Sequence, residues 1–254
     1  MAGWYRLPNG SPIGAFGKTG STTLGHVPEL RHITDDFSKF DFLSPNDEPW
    51  LVIRTPESRM ISATYQRLIN MLSKFLPRKL ELNKRQYLVA FQDEDYWISL
   101  IDQYFEDTGL MGPLDQQHHS DAKQRGERTP WHIPPMDMYH TANYLIYLPK
   151  NISFGVIALK ALSSFLERNH CSTRHKLNSQ QRLPGTPHLH KTLYIPKPEA
   201  KTIYETFKTS MQKSRAWPYL LEYLEPEQKR YDSLLFLAPN MFGIDTEWRR
   251  SIFP

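Results

Sequence analysis

The residues with the most chemical potential in this chain are its ten histidines. His118 and His119 stand three and two positions before Asp121, and His188 and His190 bracket a leucine. Neutral imidazoles and a carboxylate at short spacing are the ligands of zinc sites and the acid–base groups of hydrolases. His188 and His190 would share one face of a strand, because side chains alternate along it. No third ligand follows at motif spacing, and there is no HExxH. A single cysteine, Cys171 in NHCST, excludes a cysteine-type zinc site and an intrachain disulfide, and its thiol reads as inert. Gly17-Lys18-Thr19 contains the GKT of a phosphate loop, but the glycine required five positions earlier is Pro12, so the motif fails.

His190-Lys191-Thr192-Leu193 resembles the H-hydrophobic-[ST]-hydrophobic motif of the two-histidine phosphoesterases. That resemblance would imply a pair of such motifs on strands, with the imidazoles as acid and base. Lys191 departs from the hydrophobic position. The only partners, His118-His119-Ser120 and His170-Cys171-Ser172, lie in polar stretches. Neither motif is complete, so the expectation is no catalytic, cofactor-binding or metal-binding residue and no enzyme activity.

The elements that would position these residues read as helices. Thr55 can cap a helix with Pro56 in its first position, and Met60, Ile61, Tyr65, Leu68, Ile69 and Leu72 form an apolar stripe up to Pro77. Tyr96, Trp97, Leu100, Ile101, Tyr104 and Phe105 form a second stripe, with Asp93, Glu94 and Asp95 at the positive end of its dipole and Gly109 as a stop. Spacing predicts further helices over 136–148, from Asn151 or Ser153 through Leu166, over 198–213, and as two short pieces around 218–224 and 226–237. HLHKTLYI at 188–195 is the best strand candidate. Residues 109–135 and 169–187 read as long loops. No uninterrupted apolar run of about 20 residues, the length of a membrane span, is present.

The 254 residues include 20 prolines, 13 tyrosines, 13 phenylalanines and 6 tryptophans, with a net charge of +4. Mean hydropathy is −0.56 and the pI about 9.0. Residues 1–54 and 238–254 lack period yet carry scattered aromatics, as arms that lie on partner surfaces do. The first arm sets Arg6, Lys18, Arg31 and Lys39 against Glu29, Asp35, Asp36, Asp41, Asp47 and Glu48. A slightly acidic arm is poorly built to thread between phosphates, which makes nucleic acid the less favoured partner.

The expected fold is therefore mostly α: an irregular helical domain over 55–237, long extended N-terminal and C-terminal arms, and at most a short β element. The expected function is a structural accessory subunit of a large mitochondrial energy-converting membrane complex, a respiratory complex or ATP synthase. It would bind several protein subunits and no cofactor or small-molecule substrate. Peripheral contact with the inner membrane needs no spanning helix of its own. Trp4, Phe16, Phe37, Trp50 and Trp248 are the expected partner anchors. A mitochondrial ribosomal protein touching rRNA and a helical enzyme with a histidine site are the alternatives, and a cytoplasmic location is the alternative address.

Overall fold

Two four-residue apolar runs, WLVI and GVIA, form neighbouring parallel strands at the centre of a six-stranded sheet. The computed structural model describes residues 3–15, 21–35, 40–65, 68, 89–107, 152–172 and 197–244. Its strands are β1 (Gly3–Arg6), β2 (Pro12–Ala15), β3 (Arg31–Thr34), β4 (Trp50–Ile53), β5 (Gly155–Ala158) and β6 (Asn240–Phe242). Its helices are α1 (Ser21–Leu24), α2 (Glu94–Asp107), α3 (Leu162–Arg168), α4 (Lys197–Lys213) and α5 (Trp217–Leu237), with a helical segment over residues 56–65. The sheet order is β3-β1-β2-β4-β5-β6. β1 runs antiparallel to β2 and β3, while β2, β4, β5 and β6 are parallel.

The fold is thus α/β, which overturns the mostly helical expectation. Residues 1–54 supply β1 to β4, so the N-terminal segment builds the sheet and is no extended arm. β6 lies in the segment read as a C-terminal arm. The helix expected from Asn151 or Ser153 is instead β5, a 3-10 turn at Leu159–Ala161 and the short α3. The physical reason is burial. A parallel strand covered on both faces shows a continuous apolar run with no alternation, and a short run resembles helix as much as strand. Val156 and Ile157, β-branched and buried, settle the contest for strand. The strand candidate 188–195 lies outside the described residues.

The chain divides into two compact units. The sheet unit comprises residues 1–59, 138–177 and 226–254. Alternate residues of its central strands face opposite cores. Leu51, Ile53 and Val156 join Trp4 and pack on Leu234 and Leu235 of α5 and on Ala238 just beyond it. Val52 and Ile157 join Ile13 and pack on Leu162, Phe165 and Leu166 of α3. The β1–β2 connection closes as a hairpin, in which the Gly10 N–H donates to Leu7 O at 2.9 Å and Gly10 holds φ +91°.

The helical unit comprises residues 60–137 and 178–225. Its core is aromatic. Trp97 stacks on Phe91 at 5.4 Å, and its Nε1–H donates to Phe91 O at 2.9 Å. Tyr65 and Phe207 complete the cluster. The carboxylate of Asp93 caps α2 by accepting from the Asp95 N–H at 2.9 Å, and Glu94 and Asp95 fill the first turn. The acidic face of α2 is answered from the far end of α4. Arg215 pairs with Asp102 at 2.9 Å and Glu106 at 2.7 Å, and Lys213 pairs with Glu94. The two short helices expected around Pro226 are one, α5, with Pro226 inside it.

Two indoles fix the sheet spacing. Trp4 lies across its register partner Gly14, where an added Cβ would stand 2.8 Å from the ring. Trp50 lies across its partner Gly155, where a Cβ would stand 2.5 Å away. Alanine at Gly14 stabilises by about 0.4–1 kcal/mol by lowering the entropy of the unfolded chain, but overpacking costs about 1–3 kcal/mol. Gly14→Ala is therefore expected to lose about 1–2 kcal/mol in urea unfolding. The loss should vanish when Trp4 is also replaced by alanine. An undiminished loss in the double variant would show that the indole is not its cause.

Candidate functional site

The parallel strands β4, β5 and β6 end side by side, and the chain that follows each one turns outward. Such strand ends leave a crevice in open α/β sheets. After Ile53 come Arg54 and Thr55. The Thr55 carbonyl accepts from the Arg59 N–H at 2.9 Å, and its Oγ1 lies 3.4 Å from the Ser58 N–H. Thr55 thus caps the segment that Pro56 begins, as the sequence indicates. The Arg54 Nε–H donates to Ser58 Oγ at 2.9 Å, which ties the guanidinium to that first turn.

β5 runs from Ala158 straight into the 3-10 turn that carries Leu159 and Lys160. β6 is followed by Gly243, which adopts φ +69°. A Cβ there would stand 2.1 Å from that of Ala161, so only glycine lets the chain pass this turn. The remaining wall is α5. Gln228, Tyr231, Asp232 and Leu235 share one face at i, i+3, i+4 and i+7. Together these groups enclose a cavity of about 580 Å³ within the sheet unit.

Its lining carries charge of both signs. Arg54 and Lys160 stand at the strand ends, and Asp232 stands on the helix. The Gln228 Nε2–H donates to Asp232 Oδ1 at 2.8 Å and orients that carboxylate. Burial pushes the Tyr231 hydroxyl up to about 12, and the Asp232 charge adds to the shift. Tyr231 is therefore a neutral hydrogen-bonding group throughout the physiological range. The lining combines cations, a carboxylate and a hydroxyl with apolar surface from Leu235 and Ile244, a mixture that suits binding. Among the described residues, no histidine lines it.

The residues singled out in the sequence lie elsewhere. Trp4 is fully buried against Phe40 at 5.8 Å and Phe42 at 5.5 Å. Trp50 is partly buried against Phe165 at 4.8 Å, on the opposite face of the sheet. Phe16, Phe37 and Trp248 lie outside the described residues, as do His118, His119, His188 and His190. Among the described residues, no three of His, Cys, Asp and Glu group to hold a metal ion, and no helix is long and apolar enough to cross a membrane. His32 and Asp35 form an exposed pair at 3.1 Å beside β3. Cys171 is buried, and its Sγ–H points at Asn169 O at 3.6 Å. Burial pushes the thiol up, with the Glu29 charge adding to it.

Sequence reasoning missed Ser58, Lys160, Gln228 and Asp232 as lining of this crevice. The available signal was an apolar four-residue run followed at once by Arg-Thr-Pro and a helix start, the pattern of a buried strand delivering polar groups to a sheet end. The fold and crevice define an α/β protein with a cavity outside the carboxyl ends of parallel strands. No family model, curated protein or solved structure matches the chain.

Two measurements check this description. The unfolded Tyr231 ionises near 10.0 and the folded one near 12. Above pH 10 the unfolded state loses the proton first, so this group's stabilisation is full below that pH and disappears towards pH 12. Tyr231→Phe should flatten the alkaline fall in stability over that window relative to the parent, and an identical fall in both would contradict the burial. The Cys171 thiol should label with an aromatic disulfide only as fast as the protein unfolds, and immediate labelling of native protein would refute its burial.

Proposed function

We propose that the sheet unit is a small-molecule-binding domain whose ligand occupies the crevice at the ends of β4, β5 and β6. The observation that carries this reading is the cavity of about 580 Å³, within the range of ligand sites, where open α/β sheets bind ligands. Convergent polar groups on mostly apolar walls support it further. The proposal assigns binding and no reaction, because the crevice pairs no nucleophile with a histidine base.

A second reading keeps the expected role as an accessory subunit of a large mitochondrial energy-converting complex, peripheral to the inner membrane. It is favoured by Phe236 and Leu237 on the last turn of α5, which are 59% and 55% exposed. Adjacent exposed apolar side chains are what protein contacts cover. The two readings are compatible, since a subunit can carry a ligand site.

Amide chemical shifts of the full chain, recorded against a library of small polar metabolites, test the first reading. Perturbations should concentrate at 53–58, 158–160, 228–235 and 243–244. A library in which no compound moves those amides, or in which every binder maps elsewhere, would remove it. For the second, Phe236→Glu with Leu237→Lys should release the protein from a native mitochondrial extract complex while leaving its unfolding midpoint unchanged. Migration as a free monomer before any substitution would exclude it.

A further inference from the structure

We infer that the outer face of α5 is an interface between two copies of this chain, which pair antiparallel about a two-fold axis. The inference is independent of the crevice and rests on α5 alone. Among the described residues five large hydrophobic side chains are exposed, and four of them, Tyr219, Leu221, Phe236 and Leu237, belong to this helix. Each residue advances a helix by about 100°. On that spacing Tyr219, Glu222, Pro226, Lys229, Ser233 and Leu237 form one stripe along α5, and each is exposed. Glu225, Arg230 and Phe236 flank the stripe and are exposed as well, with Leu221 at its margin. Leu220, Leu224 and Leu234, on the far side, are buried.

The order of residue types along this face selects the partner. Apolar side chains stand at both ends and charge stands between them. The acids Glu222 and Glu225 come first, and the bases Lys229 and Arg230 follow. A two-fold interface must be complementary to itself. With the axis midway between Pro226 and Lys229, Tyr219 faces the partner's Phe236 and Glu225 faces the partner's Arg230, and symmetry makes each contact twice. Parallel pairing would instead set Glu225 against the partner's Glu225 and Arg230 against the partner's Arg230, with the helix dipoles aligned. A lipid surface would accept the two apolar ends but would press the charged middle of the same stripe into hydrocarbon. An unrelated protein would have to present acids and bases in the matching order, whereas a second copy presents them by necessity. Glu225 and Lys229, four residues apart, also support the helix itself, but that does not account for apolar side chains at both ends. About ten residues a side is fewer than the roughly 20–30 of a standard interface, which sets the expected affinity in the micromolar range.

Sedimentation of the purified full chain from about 1 to about 100 μM tests the inference and should show a monomer–dimer equilibrium. Glu222→Lys with Glu225→Lys makes the face basic throughout, and Lys229→Glu with Arg230→Glu makes it acidic throughout. All four side chains are exposed, so neither variant disturbs the core. Each variant alone should dimerise at least about tenfold more weakly than the parent, and an equimolar mixture of the two should recover the dimer. Where a charge variant shifts the unfolding midpoint, Phe236→Ser with Leu237→Ser gives the same test with the charges untouched, and it too should weaken the dimer. The inference is overturned if the parent stays monomeric at every concentration, if a charge variant or the serine variant dimerises like the parent, or if the mixture fails to recover the dimer. A chain that is monomeric when pure yet travels in a larger complex in a mitochondrial extract would remove this inference and leave the accessory-subunit reading standing, with a different protein on α5.

Discussion

A parallel sheet must be covered on both faces, and in this chain that requirement is met by strands of only three or four residues. Short strands offer little area each, so the cover has to be dense. The two Trp-over-Gly pairs supply it. Trp4 spreads over Gly14 on one face, and Trp50 spreads over Gly155 on the other. Each indole reaches across to its register partner, so each pair fixes both a neighbour and an alignment. The glycines, which would weaken a strand alone, become seats for the largest side chains available. β2 of the first pair and β4 of the second are themselves neighbours, so the two pairs are joined through one parallel ladder.

The crevice follows from that alignment. With β4, β5 and β6 locked in register, their carboxyl ends stop at nearly the same level, and the residues just beyond them are delivered to one edge. Arg54 and Lys160 are polar because they lie past the end of the covered sheet. Gly243 is glycine because β6 must turn beside Ala161. α5 contributes in two directions. Its apolar Leu234 goes to the sheet, while Gln228 and Asp232 go to the crevice, with Tyr231 and Leu235 sharing both tasks. One helix face thus performs packing and lining at neighbouring positions.

The helical unit was legible in the sequence to a degree that the sheet was not. The stripe Trp97, Ile101, Tyr104 and Phe105 is buried as its spacing requires, and Asp93 caps the helix that carries it. Lys197–Lys213 is helical where Ile203, Phe207 and Met211 indicated. A helix repeats its pattern over several turns, so periodicity has room to declare itself. WLVI and GVIA are too short for that, and burial on both faces removes the alternation that would mark them. No period surrounds Trp4 or Trp50, and the glycine under each belongs to a neighbouring strand that the local pattern does not reveal. The crevice residues were hidden for the same reason. Arg54, Lys160 and Asp232 come from three separated stretches, and only the pairing of β4 with β5 places the first two on one edge.

The chain leaves the sheet unit after Arg59 and returns to it at Met138, so β4 waits for its neighbour across the whole first part of the helical unit. Translation proceeds at about 5–20 residues per second, so β5 follows β4 from the ribosome after an interval on the order of 5–20 s. Throughout that interval the nascent β1-β2-β4 assembly presents an apolar edge with unpaired N–H and C=O groups. Closing so long a loop is entropically modest, because its cost grows only with the logarithm of length, but it is slow. During synthesis the edge of β4 that pairs with β5 is therefore made long before the strand that covers it.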